Sequence, residues 1–81
     1  MQQSFTGNVD GVKLDFYRFY NKENQLQYVA AYKFGTAEEI LLVLLKDAND
    51  NWGFMYKENI PAELTWSERE INRMIQINEK A

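Results

Sequence analysis

Between Ile40 and Leu45 six aliphatic residues follow one another without interruption, and no other part of the chain is as continuously apolar. A run with no period reads either as a strand buried on both faces or as a segment of buried helix. The flanks decide for a central strand. Asp47-Ala48-Asn49-Asp50-Asn51 is a dense turn signal, and Trp52-Gly53-Phe54-Met55-Tyr56-Lys57 alternates after it, so the two arms form a hairpin. The competing pattern is Thr36 with Glu39, which fits a capping box and would open a helix from Ala37 to about Ala48. That helix would be apolar all round and would need cover on every side, more than so short a chain supplies.

Upstream the pattern is also β. Ser4 to Val9 is a weak strand, and Asp10-Gly11 is the dipeptide favoured in two-residue hairpin turns. Val12, Leu14 and Phe16 then alternate with Lys13 and Asp15. Beyond them the pairs Phe16-Tyr17 and Phe19-Tyr20 place aromatics on both faces, which implies a bulge that shifts the register or a strand end covered on both sides. Asn21 to Asn24 is a turn. From Gln25 to Phe34 the period of two returns, with Leu26, Tyr28, Ala30, Tyr32 and Phe34 on one face, and Gly35 ends it.

Only the carboxy-terminal segment is helical by pattern. Pro61 starts a new element, Thr65 is the expected N-cap with Glu68 at the third position, and Trp66 to Glu79 runs on without Gly or Pro. Ile71, Met74, Ile75 and Asn78 share one face, and Trp66 and Ile77 flank it and are expected to widen the apolar stripe. The expected fold is therefore α+β: an antiparallel meander sheet of about five strands with one C-terminal helix packed on one face, all of residues 1–81 in a single small domain. One helix covers one side of a sheet, yet these strands supply apolar residues to both sides. The second side must be met by curling of the sheet, by a second copy of the chain, or by another protein.

Composition narrows the chemistry. The 81 residues include no Cys and no His, so disulfides and the usual zinc, haem and iron–sulfur ligands are absent, and no cofactor is expected. Twelve acidic residues against nine basic ones give a net charge of −3, which disfavours nucleic acid as a partner because duplex binding rests on neutralising phosphates. No apolar run approaches the roughly 20 residues of a membrane span, and Met1 to Phe5 lacks the form of a signal peptide. A cytoplasmic protein is expected, with an exported domain whose signal has been replaced by a starting Met as the alternative.

Asp47, Asn49, Asn51 and Glu58 have the spacing of a calcium loop, but Trp52 stands where its Gly belongs and the flanks are strands, so a hydrogen-bonded turn is expected there. The carboxylates Glu38 and Glu39, Asp47 and Asp50, and Glu68 and Glu70 fall in turns or at a helix start, where contact with water is expected in place of the pocket that acid–base work needs. No His is present to activate Ser4, Ser67 or a Thr, and the scattered glycines form no phosphate loop. Enzymatic activity is not expected.

The aromatic residues remain, and since 15% of the chain is aromatic they are numerous enough to serve both a core and a surface. Tyr17, Phe19, Tyr28, Tyr32, Trp52 and Trp66 are the candidate partner-binding residues, because Tyr and Trp bury large areas at small entropic cost and are enriched at interfaces. The expected function is a protein-interaction module, of the type of a small acidic inhibitor or immunity protein, docking on a protein partner or on itself as a homodimer through an aromatic sheet face or a strand edge. The alternative is a domain that takes a small ligand or peptide into an apolar pocket between sheet and helix.

Overall fold

A computed structural model of the chain describes residues 1–9, 11–34, 38–60, 64 and 67–81. Five strands, β1 (Ser4–Val9), β2 (Val12–Tyr20), β3 (Leu26–Phe34), β4 (Glu38–Lys46) and β5 (Trp52–Phe54), form one antiparallel sheet in sequential order. A single helical turn at Lys57–Asn59 follows, and helix α1 (Glu68–Lys80) closes the chain. The meander with one helix is the architecture expected from the sequence, and Ile40 to Leu45 lie in β4, which pairs with β3 along its length and with β5 from Leu44 to Lys46. Thr36, on which the helical alternative rested, lies outside the described residues.

Each turn follows from its residues. Val9 pairs directly with Val12, and Gly11 supplies the positive φ of +80° that the tight connection requires. The two longer turns share one wiring. Asn21 Oδ1 accepts from the N–H groups of Glu23 and Gln25, and Asp47 Oδ1 accepts from those of Asn49 and Asn51. In each turn the fourth residue, Asn24 or Asp50, takes a left-handed conformation (φ 62° and 63°) that Asn and Asp tolerate best after Gly. Asp47 is thus committed to its own turn, as the alternating flanks of the calcium-like spacing suggested.

Two expectations fail in β2 and α1. The register of β2 runs unbroken against both neighbours, so there is no bulge: Phe16 and Arg18 face the helix, and Tyr17 and Phe19 face the other way. The helix begins at Glu68 after Ser67, whose hydroxyl makes no cap hydrogen bond; the expected cap, Thr65, lies outside the described residues. The Glu68 carboxylate reaches the sheet. It accepts from the Phe54 N–H at 2.9 Å, with Lys57 Nζ 3.9 Å away. Ile77 is 61% exposed and widens nothing.

The core lies between sheet and helix. Leu14, Phe16, Tyr28, Leu44, Ile71 and Ile75 are fully buried there, and Phe5 stacks on Phe16 at 4.7 Å. Rings from both edges of the sheet converge on Tyr28, Trp52 edge-on at 5.0 Å and Phe5 at 6.3 Å. Gly7 makes room for the helix, since a Cβ there would lie 2.7 Å from Met74 Sδ. Side chains of α1 also reach the sheet's edges. Asn72 Oδ1 accepts from the Trp52 N–H at 2.7 Å, and the Asn78 amide exchanges two hydrogen bonds with the main chain of Gln2, at 3.0 and 2.9 Å.

Candidate functional site

The face of the sheet turned away from α1 is built by strand parity. Residues paired across an antiparallel ladder share a face, so Tyr17, Val29 and Val43 stand in one row, with Asp15, Ala31 and Leu41 on one side of it and Phe19, Gln27 and Leu45 on the other. Met55, whose N–H bonds the Val43 carbonyl at 2.8 Å, extends the surface. Leu41 is 60% exposed, Tyr17 49% and Met55 42%, while Ala31 and Gln27 are covered by their larger neighbours. A cleft of about 100 Å³ opens beside Leu41 and Val43 against Tyr56 and Ile60. Lys13, Asp15 and Glu39 give one end of the face its charge. Among the described residues no helix or strand lies across it, because α1 packs on the opposite face against β5 and β1.

The sequence-derived candidates separate on this geometry. Tyr17 and Phe19 lie on the open face. Tyr28, Tyr32 and Trp52 do not: they belong to the face that meets the helix, are 0%, 5% and 3% exposed, and serve the core. Trp66 lies outside the described residues. Leu41, Val43 and Met55 share this face although residue type does not single them out, because aliphatic residues and Met read equally well as core.

A second constellation joins the helix end to the sheet. Arg18, on the core face of β2 with a side chain only 10% exposed, donates through Nε to Glu79 Oε2 at 2.7 Å. The Tyr28 hydroxyl donates to the same carboxylate and accepts from Asn78 Nδ2 at 2.8 Å. The hydrogen bond to Glu79 raises the Arg18 pKa further above its ordinary value, against the opposing effect of burial. Burial works against the Glu79 charge, but hydrogen bonds from Arg18 and Tyr28 and the guanidinium charge outweigh it and hold the carboxyl below its ordinary range. Burial, together with the hydrogen bond to Glu79, pushes the Tyr28 hydroxyl up to about 12. A carboxylate locked in its charged form by a guanidinium is a fastening and makes a poor proton acceptor.

The sign of the pH dependence follows. Glu79 has a lowered pKa in the folded state, so its contribution is present above the ordinary carboxylate range and is lost as pH falls through its own pKa. Tyr28 has a raised one, so its contribution is complete below pH 10.0 and is lost as pH rises towards about 12. Thermal unfolding followed from neutral to strongly alkaline pH is expected to show a fall in midpoint over that upper window. Tyr28→Phe is expected to start lower and to lose this part of the alkaline fall; an unchanged slope in the variant would remove Tyr28 from the explanation.

The volume between sheet and helix, where an apolar ligand pocket was the alternative expectation, is occupied by the fully buried side chains of the core. The clefts lie at the rim, among them an open groove of about 560 Å³ beside Gly11, Lys13, Asp15 and Glu39. Among the described residues no helix is long and apolar enough to cross a membrane, and no cluster of acidic side chains is arranged to hold a metal ion. No protein family, curated protein or solved structure matches the chain.

Proposed function

We propose that this protein is a non-enzymatic interaction module that docks on a protein partner through the open face of its sheet. The observation that carries the reading is the row of Tyr17, Val29 and Val43 with Leu41 and Met55 beside it, an apolar surface that no described element covers. Apolar area left in water forgoes roughly 25 cal/mol per Å² that a partner would recover, and contiguous patches of this kind mark interaction sites. Tyr17 and Phe19 are suited to anchor the contact, since both are stiff and large. The net charge of −3 favours a partner with a basic rim, which suits an inhibitor or immunity-type role. The absence of His and Cys, and a Glu79 carboxylate fixed in its ionised state, speak for binding in preference to catalysis.

The test is affinity capture from the native source with the intact chain and with a Tyr17→Ser/Leu41→Ser double variant, after thermal unfolding has established that both fold alike. A partner retained by the intact chain and lost by the variant is expected. Equal capture by both would refute this docking face.

A further inference from the structure

The two edges of the sheet are finished differently. At β5 the outward main-chain N–H groups of Trp52 and Phe54 are taken by Asn72 Oδ1 and Glu68 Oε2, so that edge is closed by the helix. At the other edge the Arg18 N–H bonds the Gln3 carbonyl at 2.7 Å, which fixes the parity of the ladder. Phe5, Gly7 and Val9 turn their main-chain groups towards β2, and Gln2, Ser4, Thr6 and Asn8 turn theirs outward. Gln2 is satisfied by Asn78. Among the described residues nothing bonds the outward groups of Ser4, Thr6 and Asn8.

We infer that β1 is a strand-addition site for a second copy of this chain, paired antiparallel about a two-fold axis through Thr6. Edge strands that avoid pairing carry charge, proline or a bulge. Ser4 to Val9 has no charged residue, no proline and an unbroken register with β2. The closed β5 edge cannot take part in head-to-tail growth, so pairing of β1 with itself stops at two copies instead of running on into a fibre. Register follows from what is already occupied. Gln2 is held by Asn78 and the hairpin turn begins after Val9, so the longest free pairing sets Thr6 against Thr6 of the second copy and Ser4 against its Asn8. That arrangement forms roughly six main-chain hydrogen bonds. This surface is distinct from the open face and does not depend on the function proposed for it, although pairing would set the open faces of both copies side by side.

The chain has no cysteine, so a single introduced thiol reports on register without interference. Directly paired residues place their Cα atoms about 5.5 Å apart, within the roughly 4.4–6.8 Å that a disulfide spans. Mild oxidation is therefore expected to convert Thr6→Cys to a covalent dimer. Asn8→Cys, whose thiols would stand about 13 Å apart along the strand, is expected to stay monomeric. Sedimentation of the wild type up to millimolar concentration should show a dimer that Thr6→Pro abolishes, because proline removes only an outward N–H and blocks the edge. Thr6→Val, which also loses the 2.8 Å hydrogen bond from Thr6 to Asp15, should keep it. A wild type that is monomeric at millimolar concentration overturns the inference, as does equal cross-linking of the two cysteine variants. A dimer that survives Thr6→Pro but is lost in Leu41→Ser also overturns it, placing self-association on the open face.

Discussion

Glu79→Ala is expected to destabilise the fold by about 3 kcal/mol, the lower end of the range for breaking a buried ion pair, because the Glu79 side chain is still 20% exposed. The loss is large because of what stays behind. Arg18 keeps its charge with a side chain only 10% exposed, and the Tyr28 hydroxyl, itself buried, loses its acceptor. For a domain of this length the whole stability is roughly 4–12 kcal/mol, and about 3 kcal/mol corresponds to a fall in midpoint of roughly 15 °C. Arg18→Met in the same background should recover part of the loss, since a flexible apolar side chain fills the site without an unpaired charge. Urea unfolding of the single and double variants measures the coupling. If the double variant is less stable than Glu79→Ala alone, Arg18 contributes mainly through packing and its pairing with Glu79 is incidental.

Neighbouring positions of the apolar run should respond in opposite ways. Leu44 is fully buried between sheet and helix, so Leu44→Ala removes its transfer energy and leaves a cavity, at a cost of about 3 kcal/mol. Leu41 stands three residues away on the other face and is 60% exposed, so Leu41→Ser should cost less than about 0.5 kcal/mol. The contrast shows whether stability explains the presence of Leu41. A loss of more than about 2 kcal/mol at Leu41 would mean that the open face is part of the monomer's core.

The same run shows how far the residues speak for themselves. Alternation in β2 and β3, the Asp10-Gly11 turn and the dense polar segment after Lys46 were enough to place five strands and their order, because period and turn chemistry are local properties. The run Ile40 to Leu45 hid its facing, since without polar residues it has no phase; pairing with Tyr28, Ala30 and Tyr32 supplies that phase from outside the segment. Arg18 carried a signal that the pattern above leaves unused, since its parity with Leu14 and Phe16 puts a charge on the core face. That its partner is Glu79 depends on where the helix end rests, which is a tertiary fact. Residue type alone makes Tyr28, Tyr32 and Trp52 surface candidates, and burial against the helix overrides type. The closure of the β5 edge by Glu68 and Asn72 had no local signal, because both residues read equally well as solvated helix positions.

Methyl NMR of the chain labelled at leucine and methionine, followed from dilute to millimolar protein and then with extract of its native source added, reports on the open face most directly. The signals of Leu41 and Met55 are expected to shift or broaden as a partner is met, while those of the buried Leu14 and Leu44 hold their positions. Sharp, unmoved Leu41 and Met55 signals beside perturbed signals on the helix side would contradict a docking surface on this face.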